Sequence, residues 1–367
     1  MNNRDLVIVG GGPAGLATAI RGRMAGLNVV VLDGSQPPID RPCGEGVMPE
    51  GVAQLDALGV RVPEHHHQPF RGIRYVDGDA VAEGLFDGRP GLGIRRPVLH
   101  SALVERAAAL GAELRWRTEV SGLTEQGVAT ADGELTGRLV VGADGRSSRV
   151  RRWAGLDGRP PLAGRFGVRR HYSMAPWTDR VEVHWGDGCE AYVTPVAPEL
   201  VGVVLMWSGR ASGFDDLLSK LPGLAARVAG APLASRDAGA GLFGARARRV
   251  NAGRVVLAGD AACCLDPITG EGVALALQSA EALVDAVAAG DLGRYRAAQA
   301  RLVRAPARLN RLVQLLERRP GLRRRVIAGL VARPDLFHRF LAARRGPPAA
   351  TGSALLRLSW QLLGAGR

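Results

Sequence analysis

The chain has 367 residues, 46% of them hydrophobic, enough for two domains with sizeable cores, and it lacks any run of eighteen apolar residues that could cross a bilayer as a helix. Its net charge of +13 is concentrated: between Arg301 and Arg367 fifteen Arg stand against only Glu317 and Asp335, so the first 300 residues are close to neutral. No groove-reading or base-stacking motif accompanies those arginines, which argues against nucleic acid, and the spacing of Cys43, Cys189, Cys263 and Cys264 fits neither a metal cluster nor a disulfide framework.

The start, Met1-Asn2-Asn3-Arg4-Asp5, leads into an apolar run with no basic leader, and a cytoplasmic location is expected. Leu6 to Val9 then reads as a buried strand, followed by Gly10-Gly11-Gly12-Pro13-Ala14-Gly15, a helix-like stretch, a second apolar run (Val29 to Leu32) and Asp33. A dinucleotide-binding unit has this order of parts. Gly10 permits the tight turn, Gly12 lets a pyrophosphate approach the backbone, Gly15 lets the helix pack on the strand, and Asp33 is placed to accept ribose hydroxyls. Pro13 and Ala14 lie in the same turn. The triplet His65 to His67 has no partner cluster and reads as a solvated loop. A helix ends at Gly111, the strand Glu113 to Thr118 follows, and Leu139-Val140-Val141 runs into Gly142-Ala143-Asp144-Gly145-Arg146-Ser147-Ser148.

From Arg165 to Trp207 the pattern changes to alternation, and an antiparallel sheet is expected there, one face of which covers a ligand; His171, His184, Tyr192 and Trp207 are candidates for that face. After Ser212-Gly213 a short helix, Phe214 to Lys220, leads back. Gly239, Gly241 and Gly244 repeat the glycine spacing, but no apolar strand precedes them, so they are read as a decoy. Arg254 to Leu277, RVVLAGDAACCLDPITGEGVALAL, gives a strand, a carboxylate, a Gly-rich turn and a helix start. The tail has amphipathic spacing at Leu309, Leu312, Val313 and Leu316 and again around Leu355 to Leu362, which suits either capping of the body or contact with an anionic membrane.

With three separated motifs in the right order, GGGPAG at 10–15, GADGRSS at 142–148 and AGDAACCLDPITGEG at 258–272, the chain resembles the flavoprotein hydroxylases of the para-hydroxybenzoate hydroxylase type (group A flavin monooxygenases) and their relatives the geranylgeranyl reductases. The resemblance implies an α/β fold: a Rossmann-like FAD-binding domain from residues 1–70, 95–160 and 247–300, an inserted antiparallel-sheet substrate domain from 71–94 and 161–246, and an Arg-rich helical C-terminal segment, 301–367. It further implies FAD, with Asp260 on the ribityl chain, Pro267 beside the isoalloxazine and Gly270 to Gly272 opening a helix toward the pyrimidine end. Asp144 would hold the FAD-side loop, Arg96 would reach the flavin, and Arg41 is a candidate for the pyrophosphate. Two departures from the hydroxylases stand out: Cys263 where many have His, and Thr269-Gly270-Glu271-Gly272 in place of Gly-Gln-Gly. Pro42-Cys43-Gly44-Glu45-Gly46 is similar to the Cys-Gly-Gly loop of the reductases, and Cys43 would act as a nucleophile only with a depressed pKa.

The leading expectation is a monooxygenase that uses NAD(P)H as electron donor and inserts one oxygen atom, through a C4a flavin adduct, into an apolar or aromatic small molecule. The alternative is a reductase of carbon–carbon double bonds on isoprenoid or polyene chains. A third reading is a flavin-binding protein whose Arg-rich tail docks an acidic carrier protein or lies on a membrane. No second dinucleotide unit is present, and none of the six Trp forms a Trp-x-Trp element, which argues against disulfide-reductase and halogenase types.

Overall fold

A computed structural model describes residues 4–160, 165–209, 213–241 and 243–343. Its organising element is a six-stranded sheet in the order Asn251–Ala252, Val255–Leu257, Leu139–Gly142, Leu6–Val9, Val29–Asp33 and Glu113–Trp116; every pairing is parallel except the short edge strand. Leu6, Val7 and Ile8 are completely buried because helices or a second layer cover both faces, which explains why these strands read as unbroken apolar runs. In register, Val9 lies opposite both Leu32 and Gly142, and Gly142 lies opposite Leu257. The carboxyl ends of four strands therefore finish level. The Gly10 turn, Asp33, Asp144 and Asp260 all leave from that edge, where ligands of open α/β sheets bind. Helices Pro13–Met24 and Gly272–Ala288 pack together over one face through Leu16, Ala17, Ile20, Leu277, Ala280 and Leu283.

A seven-stranded sheet forms the second layer, in the order Ala238–Gly241, Arg165–Ser173, Leu200–Ser208, Cys189–Ala197, Val181–Trp185, Gly72–Asp77 and Ala80–Leu85. The antiparallel expectation holds except at one join: Val181–Trp185 runs parallel to Gly72–Asp77, a strand delivered from a hundred residues earlier. Gly91–Ile94, within the stretch expected to belong with this layer, pairs instead with Gly46–Val47 and His67–Phe70 in a three-stranded sheet. His65 and His66 sit in a 3-10 turn beside it. The decoy glycines 239 and 241 lie in an edge strand of the large sheet, and no helix follows them at once.

One face of the large sheet presents Ala191, Val193, Val203, Leu205 and Trp207 to the short helices Phe214–Leu218 and Pro222–Val228. The other presents Tyr192 and Met206 to a core shared with Phe70, Ile268 and the C-terminal helices Leu292–Arg318, Pro320–Ala332 and Pro334–Ala343. Leu309, Val313, Leu316, Ile327, Leu330 and Phe337 are buried there, so the apolar stripe of the tail is used inside the chain itself. Arg323 is buried as well, paired with Asp77 at 2.9 Å and lying over the Trp185 ring. The second amphipathic piece, Leu355 to Leu362, lies outside the described residues. None of the described helices is long and apolar enough to cross a membrane.

Candidate functional site

A cavity of about 930 Å³ runs from the Gly10–Ala14 turn along the level edge of the parallel sheet and under the large sheet to Val303, Leu309 and Val313 of helix Leu292–Arg318. At its first end the glycines have steric reasons. Gly10 has φ +110°, and a Cβ there would stand 2.4 Å from the Ala143 carbonyl oxygen; a Cβ on Gly15 would stand 1.9 Å from the carbonyl oxygen of Gly10. Gly12 is different, since the nearest atom to its missing Cβ is Arg96 Nη2 at 4.0 Å. Its bareness keeps the backbone open to the cavity. Helix Pro13–Met24 begins here with Pro at its first position, so unpaired backbone N–H groups and the positive end of the helix dipole face the same space.

Asp33 lines the cavity while its two oxygens accept from Gly11 N and Ser35 N, each at 2.7 Å. Each oxygen retains a second lone pair for a hydroxyl. Asp144 also lines the cavity, and it accepts from Ser148 Oγ (2.5 Å), Arg149 N (2.7 Å) and Val150 N (3.1 Å), tying the turn to the start of helix Arg149–Trp153. Asp260 stands in the 3-10 turn Gly259–Ala261 and faces the cavity, with the positive charges of Arg96 and Arg146 nearby. Arg41, Arg96, Pro267, Gly270 and Gly272 line the same cavity, and the predicted helix start is observed at Gly272, after Gly270 in the left-handed conformation. Of the thirteen residues that the sequence assigns to the cofactor, all except Gly15 line this one cavity; Gly15 lies behind it, packed on Gly10.

Cys43 lines the cavity, but burial raises its pKa, and its sulfur accepts from Glu45 N at 3.3 Å. The depressed pKa that a nucleophile would need is absent, so Cys43 is a neutral thiol at pH 7. Of the four candidates on the large sheet only Tyr192 lines the cavity. Trp207 faces the opposite layer and stacks on Phe166, His184 is bound to Glu182 at 2.8 Å, and His171 is enclosed between Glu45 Oε2 at 2.5 Å and Ser235 Oγ at 2.8 Å.

Two buried ionic groups were not visible in the sequence. Glu45, 3% exposed and at φ 58°, accepts from Arg96 N at 2.9 Å, Arg169 Nη1 at 3.1 Å and His171, and thereby clamps the Cys43 loop between the cofactor-side helix and the large sheet. Glu45→Ala is expected to lower the unfolding free energy by about 3 kcal/mol, because Arg169 and His171 lose a buried partner, although Arg169 keeps Asp40. Urea unfolding would measure this; a loss below about 1 kcal/mol would mean the clamp is not holding the loop. The second group centres on Arg165, which pairs with Glu190, with Asp266 at 2.6 Å and with Glu317, joining the large sheet, the turn before Pro267 and the long C-terminal helix. Strand alternation alone gives no sign that these charges point inward.

Beyond Pro267 the cavity becomes apolar, walled by Phe70, Ile73, Val183, Met206, Ile268 and Leu309, and closed by helix Leu292–Arg318, whose other side carries the exposed Arg304, Arg308 and Arg311.

The family model described as "FAD binding domain" matches residues 3–186 and 238–316. The chain belongs to this FAD-binding family. It is 28% identical to a dialkyldecalin synthase of Streptomyces rugosporus over 75% of its own length, spanning 63% of that protein, and 27% identical to a menaquinone reductase of Mycobacterium tuberculosis, with 80% of this chain and 78% of that protein covered. In fold it is similar to the halogenase PltM, solved in complex with phloroglucinol and FAD, with a TM-score of 0.78 at 18% identity over 97% of this chain and 83% of that one. The stretch between the two matched parts, 187–237, carries two strands of the large sheet and the short helices behind it. The expected α/β architecture and the FAD-dependent oxidoreductase family are thus both found.

Proposed function

We propose that this chain is an FAD-dependent reductase of carbon–carbon double bonds in an extended apolar substrate of isoprenoid or polyene type. The observation that carries the reading is the apolar chamber continuous with the dinucleotide end of the cavity and walled by the chain's own C-terminal helix. Similarity to the menaquinone reductase, and to digeranylgeranylglycerophospholipid reductase 1 of Methanothermobacter thermautotrophicus (26% identical, 73% of each protein covered), supports it, as does the Cys43-Gly44 loop.

The residues present fit FAD. N–H groups of the Gly12 turn would hold the pyrophosphate, with Arg41 beside it; Asp33 would accept from ribose and Asp260 from the ribityl hydroxyls; Arg96 would lie along the flavin and Pro267 against its ring. FAD, when bound, supplies a hydride acceptor and donor. The N-terminus of helix Gly272–Ala288 would stabilise negative charge at the pyrimidine end. NAD(P)H would refill it from solvent, since the chain carries a single complete dinucleotide unit. The apolar walls exclude water and align the hydrocarbon.

Monooxygenation is the second reading, favoured by the same exclusion of water and by the likeness in fold to the FAD-bound halogenase. One experiment separates them: reduced enzyme incubated with a polyprenyl substrate under nitrogen. Saturated product without oxygen is expected; product that appears only when oxygen is admitted, carrying one of its atoms, would replace the reductase by the monooxygenase.

A further inference from the structure

Helix Leu292–Arg318 has two sides in different surroundings. Its inner side brings Val303, Leu309 and Val313 to the chamber. On its outer side Arg301, Arg304, Arg308, Arg311, Leu315 and Arg318 follow one another at steps of three and four residues, which keeps them on a single stripe about 25 Å long. All six are exposed, Leu315 to 43%.

The stripe has no counter-charge of its own. The only acid in the helix, Glu317, turns inward to Arg165. Among the described residues none of the five stripe arginines has an ion pair or a side-chain hydrogen bond, and the segments outside them contain no Asp or Glu that could supply one. Arg89, Arg149 and Arg294 are exposed as well, yet each meets a carboxylate, that of Asp56, of Glu119 at 2.8 Å and of Asp291 at 3.9 Å. Like charges three and four residues apart repel and weaken the helix that carries them. Four in succession from Arg301 to Arg311, with Arg318 two turns further on, mark a face whose opposite charge comes from outside the chain.

We propose that this stripe seats the protein on the surface of an anionic phospholipid bilayer. The preference for lipid over another polyanion rests on the reductase reading: an isoprenoid or polyene substrate is held in membrane hydrocarbon, and the chamber lies behind the stripe by one helix thickness, about 10 Å. The stripe itself agrees. A row along one helix can lie on a plane with every guanidinium among the headgroups, and the guanidinium fork takes phosphate oxygens two at a time. Leu315 adds an apolar side chain to the row, where headgroups meet acyl chains. The only aromatic of the helix, Tyr295, is buried, so the exposed side offers no ring on which single-stranded nucleic acid could stack. Because Leu309, Val313 and Leu316 are committed to the core, the helix rests on the headgroups without inserting, and salt should release it.

The full-length, flavin-loaded protein mixed with vesicles of phosphatidylcholine, with and without phosphatidylglycerol, tests this in the absence of substrate. Wild type should sediment with the anionic vesicles only and come off in about 0.5 M NaCl. One variant carrying Arg304→Gln, Arg308→Gln and Arg311→Gln should melt no lower than wild type, since repulsion is removed, and should bind about 10²-fold more weakly, roughly fivefold for each Arg lost. A triple variant that binds like wild type, or wild-type binding that survives the salt, overturns the stripe as the contact. Tighter binding of wild type to polyglutamate or duplex DNA than to the anionic vesicles overturns the lipid assignment and makes the stripe the dock of an acidic macromolecule. Failure of the reductase reading looks different: the vesicles are bound, yet no polyene embedded in them is reduced under nitrogen, and the surface stands on the binding data. Reduction of a short, water-soluble prenyl alcohol by a protein that ignores the vesicles sinks the surface alone.

Discussion

Replacing Arg165 by Met is expected to lower the unfolding free energy by about 3–5 kcal/mol near pH 8, because it takes from these carboxylates the guanidinium they share. The cost should shrink toward pH 5. Glu190 has a folded pKa of about 8, above the value near 4.3 of an unfolded glutamate, so the native state holds a proton that the unfolded chain has released. Its contribution is fully present below the unfolded value and is lost as pH rises to about 8. Asp266 is shifted up as well, again mainly by burial, and acts in the same direction. Wild-type stability should therefore decline across this window, and the variant should decline more steeply. Urea unfolding of both proteins at pH 5.5, 7 and 8.5 measures this. A cost that does not change with pH would mean that the cluster holds no proton. Because Glu317 lies on the C-terminal helix, proteolysis of that helix should rise in the variant, reporting local release of the chamber wall.

Gly15→Ala and Gly12→Ala should separate folding from cofactor binding. The Gly15 methyl would meet the Gly10 carbonyl oxygen at 1.9 Å and its carbon at 3.1 Å, both backbone atoms that cannot swing aside, so the strand-to-helix packing must open. A loss of about 3 kcal/mol, at the upper end for overpacking, is expected, with little flavin retained on purification. Gly12 has φ −77°, which any residue adopts, and only Arg96 Nη2 at 4.0 Å near its missing Cβ. Gly12→Ala should therefore melt within about 2 °C of wild type in the absence of flavin, yet bind FAD at least tenfold more weakly, because the methyl stands where the pyrophosphate approaches. Melting curves of the apo proteins and flavin titration give both numbers. Equal loss of stability in the two variants would contradict the different steric roles assigned to the glycines.

Sequence and structure agree most closely where function depends on backbone chemistry. Gly10, Gly12, Pro13 and the acids Asp33, Asp144 and Asp260 were recognisable because a tight turn, a helix start and a carboxylate after an apolar strand each demand particular residue types within a few positions. Their meeting in one cavity follows from the level ends of four parallel strands. The large sheet was legible as alternation, but its inward face was not: His184 and Trp207 take the face away from the cavity, since shifting a strand by one residue exchanges its two faces, while His171 shares the face of Arg169 but is closed off by Glu45, and only Tyr192 of the four lines the cavity. The parallel join between Gly72–Asp77 and Val181–Trp185 left no local trace, because parallel pairing is set by long connections rather than by a turn.

By itself the sequence determined the FAD-binding architecture, the order of its motifs and the existence of an amphipathic, arginine-rich end, all properties written in residue type and short spacing. Only the tertiary structure decided where that end goes and which charges are buried. Leu309 and Val313 could serve a membrane or a core equally well by pattern, and it is the core under the large sheet, with Val183 and Met206, that takes them. Arg165, Glu190, Asp266 and Glu317, like Glu45, Arg169 and His171, look like ordinary surface charges along the chain; their pairing across long separations, out of reach of water, is fixed by the fold alone, and a buried charge is tolerated only where the fold brings it a partner.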